Sequence, residues 1–238
     1  MTLPDNRKQG DIYMDLVFRS MLIVCISMIF DIFLSSSSLN ATETQEQSLR
    51  PHRCVLDETR RRYKLYSPIG DHQLEGERPL VLVIHGGGST DRGMIKLTKT
   101  CWNELADRYG FYVAYPNAAF KRTWDFGEGK ISDQLKNRVD DLAYFDNVID
   151  DVSSRVRIDQ RRVFATGISR GGQASYYLAC NLSERIRAVV PVAMGLPAFM
   201  VDECETGTPV AIAIMNGTAD PQVPYNGGEI FIDHFRYV

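Results

Sequence analysis

Histidine is scarce in this chain: four in 238 residues, at positions 52, 72, 85 and 234. Their spacing suggests no metal site, and an imidazole base in this sequence is one of these four. Surplus charge is lacking too. The formal net charge is −3, which supplies no basic face for a nucleic acid. No uninterrupted apolar run reaches the ~20 residues of a membrane span, so stable membrane insertion is not expected. The five cysteines show no metal-ligand spacing. The glycines give no dinucleotide fingerprint, because His85-Gly86-Gly87-Gly88 lacks the spacing and the downstream acidic partner. No internal repeat is present. Neither metal nor cofactor is therefore expected.

What is present begins with an export-like leader. Arg19 precedes the apolar run Met21–Phe30, Asp31 interrupts it, and a serine run follows. That is the length of a signal-peptide core, with cleavage near Ser38 to Ala41 and Met14 or Met21 as possible starts. The alternative is an uncleaved membrane anchor. Residues 1–41 are thus assigned to the leader, 42–55 to a polar linker and 56–238 to one domain. Without the leader's Cys25, four cysteines remain: Cys54, Cys101, Cys180 and Cys204. They suit an oxidising compartment and allow three pairings. The basic cluster Arg60-Arg61-Arg62-Tyr63-Lys64 reads as the solvated face of an edge strand.

The rest alternates strand-like and helix-like segments. Strands are expected near Tyr63–Tyr66, Leu80–Ile84, Phe111–Tyr115, Val163–Thr166, Ala188–Ala193 and Val210–Met215, and helices near Ile95–Tyr109, Arg138–Arg155 and Gly172–Asn181. In the middle helix, Val139, Leu142, Phe145, Val148, Ile149 and Val152 fall at helical spacing and belong to the core. Such alternation predicts an α/β fold with a mostly parallel sheet flanked by helices.

Three motifs sit at strand ends. Gly167-Ile168-Ser169-Arg170-Gly171 lies between a β-prone run and a helix start, the context of a nucleophile elbow in α/β-hydrolases. It would expose the Ser169 hydroxyl and aim the Arg170 N–H at a developing oxyanion. The continuous apolar run Pro79–Ile84 ends in His85-Gly86-Gly87-Gly88, an HGGG-type loop whose glycines let backbone donors approach a substrate. Gly86 and Gly87 are its candidate oxyanion residues, whereas His85 reads as a structural histidine. The third motif is the turn after Val210–Met215, where Asp220 follows Ser169 by 51 residues. The chain order Ser, acid, His makes Asp220 the candidate triad acid.

These blocks, with Val139-Asp140-Asp141-Leu142-Ala143-Tyr144-Phe145 and Asn216-Gly217-Thr218-Ala219-Asp220-Pro221, resemble the secreted esterases related to polyhydroxybutyrate depolymerases and to feruloyl and acetylxylan esterases. The resemblance spans roughly residues 60–230 and departs at Asn216, where the family commonly has histidine. It implies a secreted serine carboxylic ester hydrolase with Ser169 as nucleophile, Asp220 as acid, and Gly86, Gly87 and Arg170 at the oxyanion hole. The implied partner is an ester substrate, such as a plant cell-wall polysaccharide or a polyester. Trp124, Phe126 and Tyr225 are candidate pocket residues. A Cys180–Cys204 bridge is also implied, leaving Cys54 with Cys101.

The triad histidine is the exception. Only His234 follows Asp220, with thirteen residues between. A parallel crossover needs about a dozen or more and a strand about five. The expectation is an α/β-hydrolase domain lacking its last strand, histidine loop and final helix, with impaired activity and an apolar Val210–Met215 edge. A non-catalytic binding or scaffold protein on the same shell and a serine peptidase on the same fold are the alternatives.

Overall fold

The continuous apolar run Pro79–Ile84 forms the hub of the sheet. Strand β3 (Arg78–Ile84) pairs in parallel with β4 (Tyr112–Pro116) on one side and β5 (Ile158–Ile168) on the other. Its side chains alternate between two cores. Leu80, Leu82 and Ile84 join one, and Val81 and Val83 join the other. Pro79 has no N–H for the ladder, and the β3–β5 register shifts between Arg78 and Leu80. The structure is a computed structural model and describes residues 49–53, 61–70, 75–119, 123–126, 139–204, 206–230 and 235–237; element numbers below count within these.

The main sheet has seven strands in the order β1-β2-β4-β3-β5-β6-β7. Strands β1 (Leu49–Arg53) and β2 (Arg62–Tyr66) are antiparallel additions beside β4. Strands β6 (Ala188–Val192) and β7 (Ala211–Ile212) continue the parallel series beyond β5. Strands β8 (Gly228–Ile230) and β9 (Phe235–Tyr237) form a separate antiparallel pair. The expected mostly parallel α/β sheet is therefore observed.

Several expectations need correction. Residues 49–53, inside the stretch assigned to a linker, form β1 along β2. The helix expected over 95–109 is two helices, α1 (Asp91–Leu97) and α2 (Cys101–Tyr109). The chain breaks at Lys99 and Thr100, whose φ values are 47° and 61°. Thr90 caps α1 by accepting from the Gly93 N–H. Arg61 does not lie on a solvated edge: it is buried, ion-paired to Asp141 and stacked over the Tyr144 ring. Arg62 points its side chain largely to solvent.

Helix α3 (Asp141–Arg155) is capped by the Asp140 carboxylate, which accepts from the Ala143 N–H at 2.8 Å. It buries Phe145, Val148, Ile149 and Val152 as its periodicity predicts, while Leu142 is only partly covered. Helix α4 (Arg170–Asn181) follows β5 directly, and a short α5 (Ala198–Glu203) comes after β6. A Cys180–Cys204 disulfide ties the end of α4 to the residue after α5. Cys101 is a free thiol, and Cys54, its expected partner, lies outside the described residues.

The strand expected over 210–215 is reduced to Ala211–Ile212 and one bridge between Val192 and Met215. Ile212 is 48% and Ile214 57% exposed. Among the described residues, β7 has a neighbour on one side only. No helix among these residues is long and apolar enough to cross a membrane. The leader assigned to residues 1–41 lies outside them.

Candidate active site

Ser169 stands between β5 and α4 with φ 54° and ψ −122°. A non-glycine residue in that region costs on the order of 1–3 kcal/mol and persists only where neighbours enforce it. Here they do. The Ser169 N–H donates to the Val192 carbonyl at 2.8 Å, and the Ser169 carbonyl accepts from the Gln173 N–H at 3.0 Å. The side chain is exposed and makes no helix-capping bond, so its hydroxyl is not spent on α4.

The glycines of the motif are required by close approach. A Cβ at Gly167 would overlap the Gly171 carbonyl, and one at Gly171 would overlap the Ile84 carbonyl. The elbow is therefore wedged against the end of β3, where the HGGG loop begins. A Cβ at Gly86 would lie 3.6 Å from the Ser169 Cβ, and one at Gly87 would lie 3.7 Å from the Arg170 Cβ. Loop and elbow, 80 residues apart in sequence, are thus in contact. The Gly86 carbonyl accepts from the Ser89 N–H at 3.2 Å, and the Gly87 N–H has no acceptor among the described residues.

His85 is fully buried and committed on both ring nitrogens. The Ala118 N–H donates to Nε2 at 3.1 Å, so Nδ1 carries the proton and donates to the Gly86 carbonyl at 2.7 Å. Burial holds its pKa below the usual value, with the Gly86 hydrogen bond and the Asp91 charge opposing. It is a structural histidine, as the sequence suggests.

The turn that carries Asp220 is tied to the carboxyl end of β6. Three successive residues at that strand's carboxyl end act as a bracket: Val192 binds the elbow through its carbonyl, the Ala193 N–H donates to the Met215 carbonyl at 2.8 Å, and the Met194 N–H donates to Asn216 Oδ1 at 2.9 Å. Elbow and 216–220 loop are thereby held at the same end of the sheet, where ligands bind in open α/β sheets. The half-buried Asp220 carboxylate accepts from the N–H groups of Gln222 (2.8 Å) and Val223 (3.0 Å). The side chains of the three other histidines, His52, His72 and His234, lie outside the described residues.

Two pocket expectations need revising. Trp124 is 0% exposed. Its indole N–H donates to the His85 carbonyl at 2.8 Å, and its rings pack against His85 and Phe145 with centroids 4.9 and 5.0 Å apart. It is a core residue, and so is Phe126. Tyr225 is exposed, in the loop after Asp220. A cleft of about 510 Å³ lined by Glu77 and Ser153–Arg161 lies at the amino end of β5, the opposite end from Ser169.

Sequence reasoning missed the Arg170 side chain. It is buried, donating through Nε and Nη2 to the Trp124 carbonyl (3.1 and 2.9 Å) and through Nη1 to Gln173 Oε1 (2.8 Å). An arginine opening a helix, where the macrodipole disfavours a cation, was the available signal.

The family model for "Esterase PHB depolymerase" matches residues 61–220. Over 173 residues the chain is 28% identical to a bifunctional acetylxylan esterase/xylanase from Neocallimastix patriciarum, covering 72% of this chain and 23% of that protein. Over 91 residues it is 37% identical to feruloyl esterase B from Piromyces equi, covering 37% of this chain and 17% of that one. Among solved structures, a thermostable esterase aligns with a TM-score of 0.60 at 19% identity, covering 76% of this chain and 49% of that one. An acetyl xylan esterase from Aspergillus awamori gives 0.50 at 19% identity, covering 62% and 53%. The chain thus spans about half of these solved chains and less than a quarter of these two curated relatives. With more than half of its length matched, on a sheet of this order, the chain belongs to the esterase PHB depolymerase family and has the α/β-hydrolase fold.

Proposed function

We propose that this chain is the catalytic core of a serine carboxylic ester hydrolase. The observation that carries the reading is the exposed, strained Ser169 in contact with the Gly86–Gly87 loop. Ser169 Oγ attacks the ester carbonyl carbon while a histidine takes its proton. The oxyanion formed is held by the N–H groups of Gly87 and Arg170. Collapse expels the alcohol, which receives that proton, and leaves an acyl-serine. Water, deprotonated by the same histidine, then attacks the acyl carbon and frees the carboxylic acid and Ser169. Asp220 orients the imidazole and stabilises its cationic form. His85 is unsuited to the base role because both its nitrogens are engaged.

The relatives named for acetylxylan and feruloyl esterases support a cell-wall polysaccharide carrying acetyl or hydroxycinnamoyl esters as the substrate. The disulfide supports a secreted protein in an oxidising compartment. The test is hydrolysis of p-nitrophenyl acetate by the full chain, beside its Ser169→Ala and His234→Ala variants. Turnover lost on Ser169→Ala supports the reading, and loss on His234→Ala assigns the base. Rates equal in wild type and Ser169→Ala reject it in favour of a non-catalytic shell.

A further inference from the structure

The residues bearing the two proposed oxyanion donors are linked through Trp124 and His85 by a run of hydrogen bonds, buried except for the half-buried last one, that the elbow motif does not predict. It starts at the Arg170 side chain, which leaves the first position of α4 and is only 5% exposed. Its guanidinium grips the Trp124 carbonyl with two donors and lies over the Phe126 ring, 5.2 Å from the centroid. Trp124 passes the constraint on, its indole N–H holding the His85 carbonyl. The His85 ring, fixed from behind by the Ala118 N–H, donates from Nδ1 to the Gly86 carbonyl. That carbonyl and the Gly87 N–H belong to one peptide unit. In a planar trans peptide the two point in opposite directions, so holding the oxygen aims the donor. The run begins on the residue bearing one proposed donor and ends on the peptide bearing the other.

Burying a guanidinium at a helix amino end is costly, from desolvation and from the unfavourable macrodipole. Lysine could not reproduce the forked contact with one carbonyl. We infer that the Arg170 side chain is a positioning residue, setting the orientation of the Gly86–Gly87 peptide, and hence of the oxyanion hole, through Trp124 and His85. The inference rests on the esterase reading above for its kinetic consequence, but not for its structural one.

The experiment compares the full chain with Arg170→Met and Arg170→Lys, and with Arg161→Ala at an exposed arginine remote from the elbow as control. Three quantities are read: p-nitrophenyl acetate kinetics, thermal melting, and hydrogen–deuterium exchange of the 85–88 segment. The expected result is a kcat lower by about a hundredfold in both Arg170 variants, the cost of displacing a catalytic group by ~1 Å. KM stays within about twofold, because the oxyanion contact is made only in the transition state. Exchange at 85–88 rises in both, and the control matches wild type. Wild-type kcat and unchanged exchange in Arg170→Lys would overturn the inference. So would a raised KM at constant kcat, which assigns Arg170 to substrate binding, or a loss of the cooperative melt in both variants, which assigns it to folding alone. A wild type that hydrolyses nothing and is not labelled at Ser169 by a fluorophosphonate rejects the esterase reading, and the exchange data still decide the positioning role.

Discussion

At the scale of single residues, the site is built from atoms that leave no room. Gly171 is the clearest case, since any Cβ there overlaps the Ile84 carbonyl. Backbone cannot yield as a side-chain tip does, so Gly171→Ala is expected to destabilise by about 2–3 kcal/mol, read from the urea midpoint. If His234 supplies the base, Asp220→Asn is expected to lower kcat by up to about ten-thousandfold while leaving the melt near that of wild type, because an amide holds the imidazole in the wrong tautomer. His85 gives a pH prediction. Burial keeps its pKa below the ordinary 6.5. The ring is therefore neutral in the fold, while the unfolded chain takes up its proton first as pH falls through 6.5. Its contribution to stability is complete above pH 6.5, declines below it, and levels off beneath the folded pKa. Melting temperatures from pH 8 to pH 5 should show this decline, and His85→Gln should flatten it. The elbow and HGGG loop were legible in sequence because only glycine meets their spatial demands. Trp124 was not: an aromatic residue near a motif reads equally as pocket or core, and its indole bond to the His85 carbonyl exists only once the chain has folded.

At the scale of elements, pairing overrode local preference. Leu49–Arg53 looks like polar linker, yet its backbone groups find partners along β2. The 95–109 segment is helical by composition, but left-handed conformations at Lys99 and Thr100 split it in two. Arg61 reads as solvated charge until Asp141 and the Tyr144 ring receive it. The α3 stripe, in contrast, was fully readable at Phe145, Val148, Ile149 and Val152, because helical period alone fixes which residues face the sheet. The Cys180–Cys204 bridge joins residues 24 apart, and its reduction is expected to cost roughly 3 kcal/mol by loop entropy. Melting with and without reductant checks this, a drop of several degrees being the expected outcome. Among the described residues β7 has no strand on its outer side, and Ile212 and the nearby Ile214 are exposed there, the kind of edge that invites pairing. Ile212→Lys is expected to reduce light scattering on heating relative to wild type.

At the scale of the whole molecule, one end of the mostly parallel sheet gathers the candidate site residues. The carboxyl ends of β3, β5 and β6 carry the glycine loop, the elbow and the bracket that holds the Asp220 turn. Chain order and strand-end placement made this layout legible, whereas the Arg170–Trp124–His85 connection emerges only from tertiary packing. The account depends on Ser169 being a nucleophile held beside the Gly86–Gly87 donors. The most direct test is to treat the full chain with a fluorophosphonate and locate the adduct by peptide mass spectrometry. A single adduct on the peptide containing Ser169, absent from Ser169→Ala and slower to form in Asp220→Asn, is the predicted result. No adduct at Ser169, or labelling that persists in Ser169→Ala, would contradict it.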